Sequence, residues 1–161
     1  MAEQLWQRID NEPKDRTYQR VIQYLDALLT GENDLIAKMA NISAVIKEAF
    51  QWHWVGYYRV VGKELVLGPF QGPVACMRIG FGKGVCGKCW ENQQTIIVPD
   101  VNQFPGHIAC SPFSKSEIVV PLIIKGRFEG LLDIDSERYD SFDTIDQIYL
   151  EKIHQLYFNA S

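Results

Sequence analysis

Two apolar runs, Ile118 to Ile124 and Phe128 to Asp135, are joined through Gly126, and together they constrain the fold more than any other stretch. They read as two strands of a hairpin. A hairpin centred on Gly126 sets Glu117 opposite Asp135. Asp133 and Asp135 are two residues apart, so they share a face of their strand. A one-residue slip would send Glu117 to the other face. Like charges in opposite register destabilise a sheet. A cationic ligand, a basic side chain or a shared proton must offset them. A solvated face is the other reading, but the flanking Leu131, Leu132 and Ile134 favour a pocket edge.

The rest of the chain alternates helical and extended patterns. Tyr18, Val21, Ile22, Leu25, Leu28 and Leu29 recur at helical spacing, with Gly31 as the stop. Asn33 or Asp34 can cap a second helix with Leu35, Met39, Ile42, Val45, Ile46, Ala49 and Phe50 on its inner face. Trp54–Val60 and Glu64–Phe70 form a first hairpin about Gly62. Cys76–Ile79 and Ile96–Val98 are short strands, and Val85–Glu91 is a short helix behind a glycine-rich turn. Asp143 caps a last helix whose inner face is Ile145, Ile148, Tyr149, Ile153 and Leu156. Residues 1–16 are polar and read as an arm. Terminal helices around antiparallel hairpins predict an α+β fold, with helices on one face of a central antiparallel sheet and loops carrying Cys86 and Cys110 on the other.

The 161 residues suit one domain, 1–161. A net charge of -4 lacks the basic footprint of a nucleic-acid binder. No apolar run approaches the ~20 residues that span a bilayer. The N-terminus lacks the apolar segment of a signal peptide, so a cytoplasmic protein with reduced thiols is expected.

Four cysteines then point to catalysis, redox chemistry, metal binding or plain burial. Cys110 follows Pro105-Gly106-His107-Ile108-Ala109 in a long loop, where a nucleophilic thiol has access and His107 can supply charge. A small buried residue is the other reading. Cys86 lies in Gly82-Lys83-Gly84-Val85-Cys86-Gly87, at the start of a helix whose N–H groups would favour a thiolate, with Lys83 and Lys88 nearby. Alternatively, it fills space beneath a tight turn. Cys86-Gly87-Lys88-Cys89 lacks a second Cys-x-x-Cys or a His pair, so no metal site is expected. His53 and His154 read as structural.

These residues resemble the free methionine-(R)-sulfoxide reductases, which are stand-alone GAF domains. The resemblance rests on Trp54-Val55-Gly56-Tyr57-Tyr58, Ala75-Cys76, the Gly82–Gly87 run and Pro105–Cys110. It continues through Ser114–Pro121 and Leu132-Asp133-Ile134-Asp135-Ser136. It implies a GAF fold and reduction of free L-methionine-(R)-sulfoxide. Cys110 would be the nucleophile, oxidised to a sulfenic acid; Cys86 would resolve it, with Cys76 as an alternative. Glu117, Asp133 and Asp135 would bind the substrate ammonium and supply a proton, and Trp54 and Tyr58 would pack on its methyl-sulfur end. It further implies a homodimer, no bound cofactor, and recycling by thioredoxin and NADPH. A non-catalytic ligand-binding or redox-sensing GAF module is the alternative. Two departures stand out: Cys89 is an extra thiol, and Ser111 replaces an aspartate that often follows the nucleophile.

Overall fold

The computed structural model describes residues 5–159; residues 1–4 of the N-terminal arm, and residues 160–161, lie outside them. Two helices come first, α1 (Lys14–Leu29) and α2 (Leu35–Phe50). α1 begins ahead of the predicted stripe, directly after Pro13, and Asp15 stands in its first turn. Asp34 is the cap of α2: its side chain accepts from the Ala37 amide at 2.9 Å. Four further elements follow: β1 (Trp54–Val61), β2 (Glu64–Gln71), β3 (Arg78–Gly80) and α3 (Gly84–Asn92). The chain closes with β4 (Ile96–Val98), β5 (Ser116–Ile124), β6 (Arg127–Ser136) and α4 (Thr144–Phe158).

The six strands form one antiparallel sheet in the order β3-β2-β1-β6-β5-β4. The alternation of side chains divides it into two apolar layers. Val55, Tyr57, Ile118, Val120, Leu122, Leu132 and Ile134 meet α1, α2 and α4 on one face. Trp54, Tyr58, Val119 and Leu131 meet α3 and the loops on the other. The predicted α+β architecture is therefore present. The central hairpin pairs Glu117 with Asp135 and Ile118 with Ile134 as predicted, but near the turn Ile124 pairs with Arg127, and a one-residue shift between Leu122 and Ile123 joins the two registers.

Two local expectations change. Cys76 lies just outside β3, which starts at Arg78. α4 is rotated from its apolar reading: Ile148 is 61 % exposed, while Asp146, Leu150, Ile153, His154 and Phe158 face inward. Polar anchors set that rotation. Asp146 accepts from Tyr18 Oη and Lys14 Nζ, each at 2.6 Å, and closes a capping box with Asp143. His154 bonds Tyr57 Oη at 3.0 Å and the Pro121 carbonyl at 2.9 Å. Burial holds its pKa down to about 4, so it sits neutral in the core, a structural histidine.

Candidate active site

The carboxylates lie on the sheet face beneath α3. β5 brings Glu117 opposite Asp135, and β6 places Asp133 one pleat along. One oxygen of each lies within 4.8 Å of the others. Glu117 and Asp133 are buried, and Asp135 is partly buried. Burial, and then mutual repulsion, pushes the pKa of Glu117 and of Asp133 well above the usual carboxylate range. Asp135 is raised less: burial lifts it, but hydrogen bonds with Glu117 and from Ser114 Oγ, the latter at 3.0 Å, oppose the rise. Asp133 Oδ1 has no hydrogen-bond partner. The group therefore retains protons and presents an unsatisfied acceptor to a cation or proton-bearing ligand.

The aromatic wall follows from Gly56. A Cβ there would lie 2.3 Å from Phe70 Cβ and 2.6 Å from the Trp54 ring, so the glycine lets Trp54 fold across β1. Trp54 then stacks on Phe70 at 5.2 Å and on Tyr58 at 6.0 Å. Its Nε1 donates to the Pro73 carbonyl at 3.0 Å, and Tyr58 Oη donates to the Cys76 carbonyl at 2.8 Å. These bonds hold the segment bearing Cys76 over the acids.

The glycine run shapes the opposite wall. A Cβ on Gly87 would meet the Gly80 carbonyl at 2.6 Å and Gly82 backbone at 3.0 Å, so only glycine lets α3 settle on its own entry turn. Cys86 is thereby brought to the cavity as a buried free thiol. A stabilised thiolate is expected there, and the structure overturns this. Burial and the carboxylates of Asp133, Glu117 and Asp135 push Cys86 well above the usual thiol range. Lys88 turns away to pair with Glu91 at 3.1 Å. Cys89 is fully buried, and its pKa is pushed up to about 12, mainly by burial.

Cys110 is disulfide-bonded to Cys76, across 34 residues, with Cα atoms 5.6 Å apart. Cys110 lines a cavity of about 50 Å³ together with the three acids. Cys76, the alternative partner expected from sequence, makes this bond, and Cys86, the first-named partner, stays a free thiol. Cys110 is an exposed residue. Trp54, Tyr58, Cys86, Cys110, Glu117, Asp133 and Asp135 all line this one cavity. The cysteines do not converge on a metal: among the described residues, the three carboxylates are the close group of potential ligands.

Comparison with known proteins agrees with this geometry. The family described as GAF domain matches residues 35–157. A Saccharomyces cerevisiae free methionine-R-sulfoxide reductase is 41% identical, covering 91% of this chain and 86% of its own. The crystal structure of a Neisseria meningitidis free methionine-R-sulfoxide reductase, in complex with its substrate, is 48% identical. It superposes with a TM-score of 0.88, covering 91% of this chain and 89% of that one. The chain belongs to the free methionine-R-sulfoxide reductases of the GAF-domain family. A Dictyostelium discoideum relative, GAF domain-containing protein A, is 52% identical over 99% of this chain and 100% of its own.

Within this reductase-family fold, two residues missed from sequence complete the cavity. Ser114 bonds Asp135. His53, read as structural, lines the cavity and bonds Ser111 Oγ at 3.1 Å and Glu137 at 2.9 Å. His53 immediately precedes Trp54, which pairs with Asp135; that adjacency was the available signal. Among the described residues, no helix is long and apolar enough to cross a membrane.

Proposed function

We propose that this chain reduces free L-methionine-(R)-sulfoxide to methionine at the cavity between Cys110 and the carboxylates. The observation that carries the reading is the Cys76–Cys110 disulfide, whose Cys110 lines the same cavity as a buried, proton-retaining acid cluster. A binding module needs no such thiol pair. In the reduced protein, the Cys110 thiolate attacks the sulfoxide sulfur. The sulfoxide oxygen takes a proton from Glu117 or Asp133 and passes to Cys110 as the sulfenic acid, releasing methionine. A second thiol then displaces water from the sulfenic acid to form a disulfide. Cys76 takes that role here, because it already meets Cys110, whereas burial and three nearby acids keep Cys86 protonated.

The remaining negative charge suits the α-ammonium of a free amino acid, which a peptide-bound methionine lacks. Trp54 and Tyr58 would face the methyl-sulfur end. The chain's own thiols and acids carry the reaction, with no bound cofactor. A thioredoxin-class dithiol, maintained by NADPH, restores the thiols by attacking the exposed disulfide, in a cytoplasmic setting; the enzyme works as a homodimer.

The test is thioredoxin-coupled NADPH oxidation with free R and S epimers and with a blocked methionine sulfoxide. Turnover of the free R form alone, abolished in Cys110→Ser, supports the reading. Absence of turnover in folded, reduced protein, or persistence in Cys110→Ser, sinks it.

A further inference from the structure

The segment bearing Cys110 has almost no framework of its own. The chain from 104 to 115 contains no helix or strand, and the Cys110 amide bonds only locally, to the Ile108 carbonyl at 3.1 Å. Among the described residues, three side-chain ties fasten positions 110–114 to the rest of the fold. They are the disulfide to Cys76, the Ser114 bond to Asp135 and the Ser111 bond to His53.

His53 is unlike the other anchors because it is itself held at both ring nitrogens. Its side chain is only 11% exposed. Nδ1 lies 2.9 Å from Glu137 Oε1, an acceptor, so Nδ1 carries the proton and donates. Nε2 lies 3.1 Å from Ser111 Oγ, and the two share a hydrogen bond. Ser111 Oγ in turn accepts from the Phe113 amide at 3.3 Å. The Phe113 ring stands edge-on to the imidazole at 6.1 Å. The Phe113 amide, Ser111, His53 and Glu137 thus form one continuous hydrogen-bonded chain, and bonds in such a chain reinforce each other. Glu137 lies just beyond β6 and His53 just before β1, so the chain ties the loop to the rigid sheet. A hydrolase-like role for Ser111 does not fit. An oxyanion formed beside three carboxylates would be destabilised, the opposite of what that chemistry needs.

We propose that His53 is a positioning residue for Cys110. The Glu137–His53–Ser111 chain latches the loop in the place where Cys110 meets Cys76, and so sets the redox equilibrium of that pair. The inference rests on the reading that Cys76 and Cys110 are the working thiols. Reduction breaks the Sγ–Sγ bond, takes two electrons and two protons from an external dithiol, and leaves two thiols. A latch that favours the bonded arrangement makes this reduction harder.

The test is equilibration of the whole protein in dithiothreitol buffers of graded oxidation, followed by thiol alkylation and mass measurement. Ser111→Ala removes a loop hydroxyl and leaves the core intact; thermal midpoints verify folding of each variant. Ser111→Ala and His53→Ala should each shift the equilibrium about tenfold toward the dithiol, ~30 mV for a two-electron couple. The double variant should shift no further, because both substitutions break one chain. His53→Gln, whose amide can accept from Ser111 and donate to Glu137, should restore the equilibrium. Single shifts below about twofold, additive shifts, or a glutamine variant as shifted as the alanine one would overturn the proposal. No methionine sulfoxide is present, so this outcome is read separately from any failure of turnover.

Discussion

Replacing Glu117 with Gln should stabilise the protein at neutral and alkaline pH while impairing the reaction. Glu117, Asp133 and Asp135 hold oxygens within 4.8 Å, so full ionisation of one pair costs about 3.5 kcal/mol at an effective dielectric of ~20. Burial adds to that, and Glu117 accordingly has its pKa raised well above the usual range. The folded state keeps a proton that the unfolded chain releases near pH ~4.3. Stability due to that proton is complete below this pH and is lost as pH rises through the folded pKa. The loss accrues at about 1.4 kcal/mol per pH unit until the folded group ionises, with the repulsion figure setting the scale of the plateau. Glu117→Gln keeps shape and a donor but has no proton to lose. Its thermal midpoint should match wild type near pH 4 and exceed it by about 7–14 °C at pH 8, taking about 2–4 °C per kcal/mol for this size. Turnover of free methionine-(R)-sulfoxide should fall by about 10² if Glu117 supplies the proton. The assay is a set of thermal scans from pH 4 to 9, paired with coupled kinetics. A stability gap that does not change with pH, or one that favours wild type as pH rises, would refute the reasoning about a retained proton.

Other outcomes follow from the fold. Asp146→Ala strands the Lys14 ammonium and Tyr18 hydroxyl and removes the α4 capping box, and should cost about 3–5 kcal/mol in urea unfolding. Gly87→Ala forces a methyl against the backbone of Gly80 and Gly82 and should cost about 1–3 kcal/mol despite alanine's better helix propensity. A surface-like change under 0.5 kcal/mol would contradict the close packing of α3. With its pKa near 12, Cys89 has a thiolate fraction of about 10⁻⁴ at pH 8, so native reduced protein should be alkylated at Cys76 and Cys110 and spared at Cys89. Cys89→Ala should retain turnover; loss of turnover in a folded variant would give this thiol a part in the cycle.

Much of the fold is written locally. The turn at Lys125–Gly126 pairs Ile124 with Arg127, and a one-residue shift between Leu122 and Ile123 then sets the β5–β6 register; a slip would move Ile118, Val120, Leu132 and Ile134 from the helix-covered core to the opposite face. The same register carries Glu117 against Asp135. The acid cluster is thus legible from the chain, as are the helix caps Asp34 and Asp143. Other features depend on partners distant in sequence. Apolar spacing misplaces the inner face of α4, because Lys14 and Tyr18, over 120 residues away, draw Asp146 inward. A helix start favours a Cys86 thiolate locally, but burial beneath the sheet beside three acids reverses the sign. The partner of Cys110 and the grip of His53 on Ser111 were likewise decided by which loops the closed sheet brings together. Hydrogen-bond register and caps act over a few residues, and so the sequence determines them alone. Proton affinity, thiol pairing and side-chain anchoring answer to the surrounding medium and to neighbours that exist only after the chain has folded.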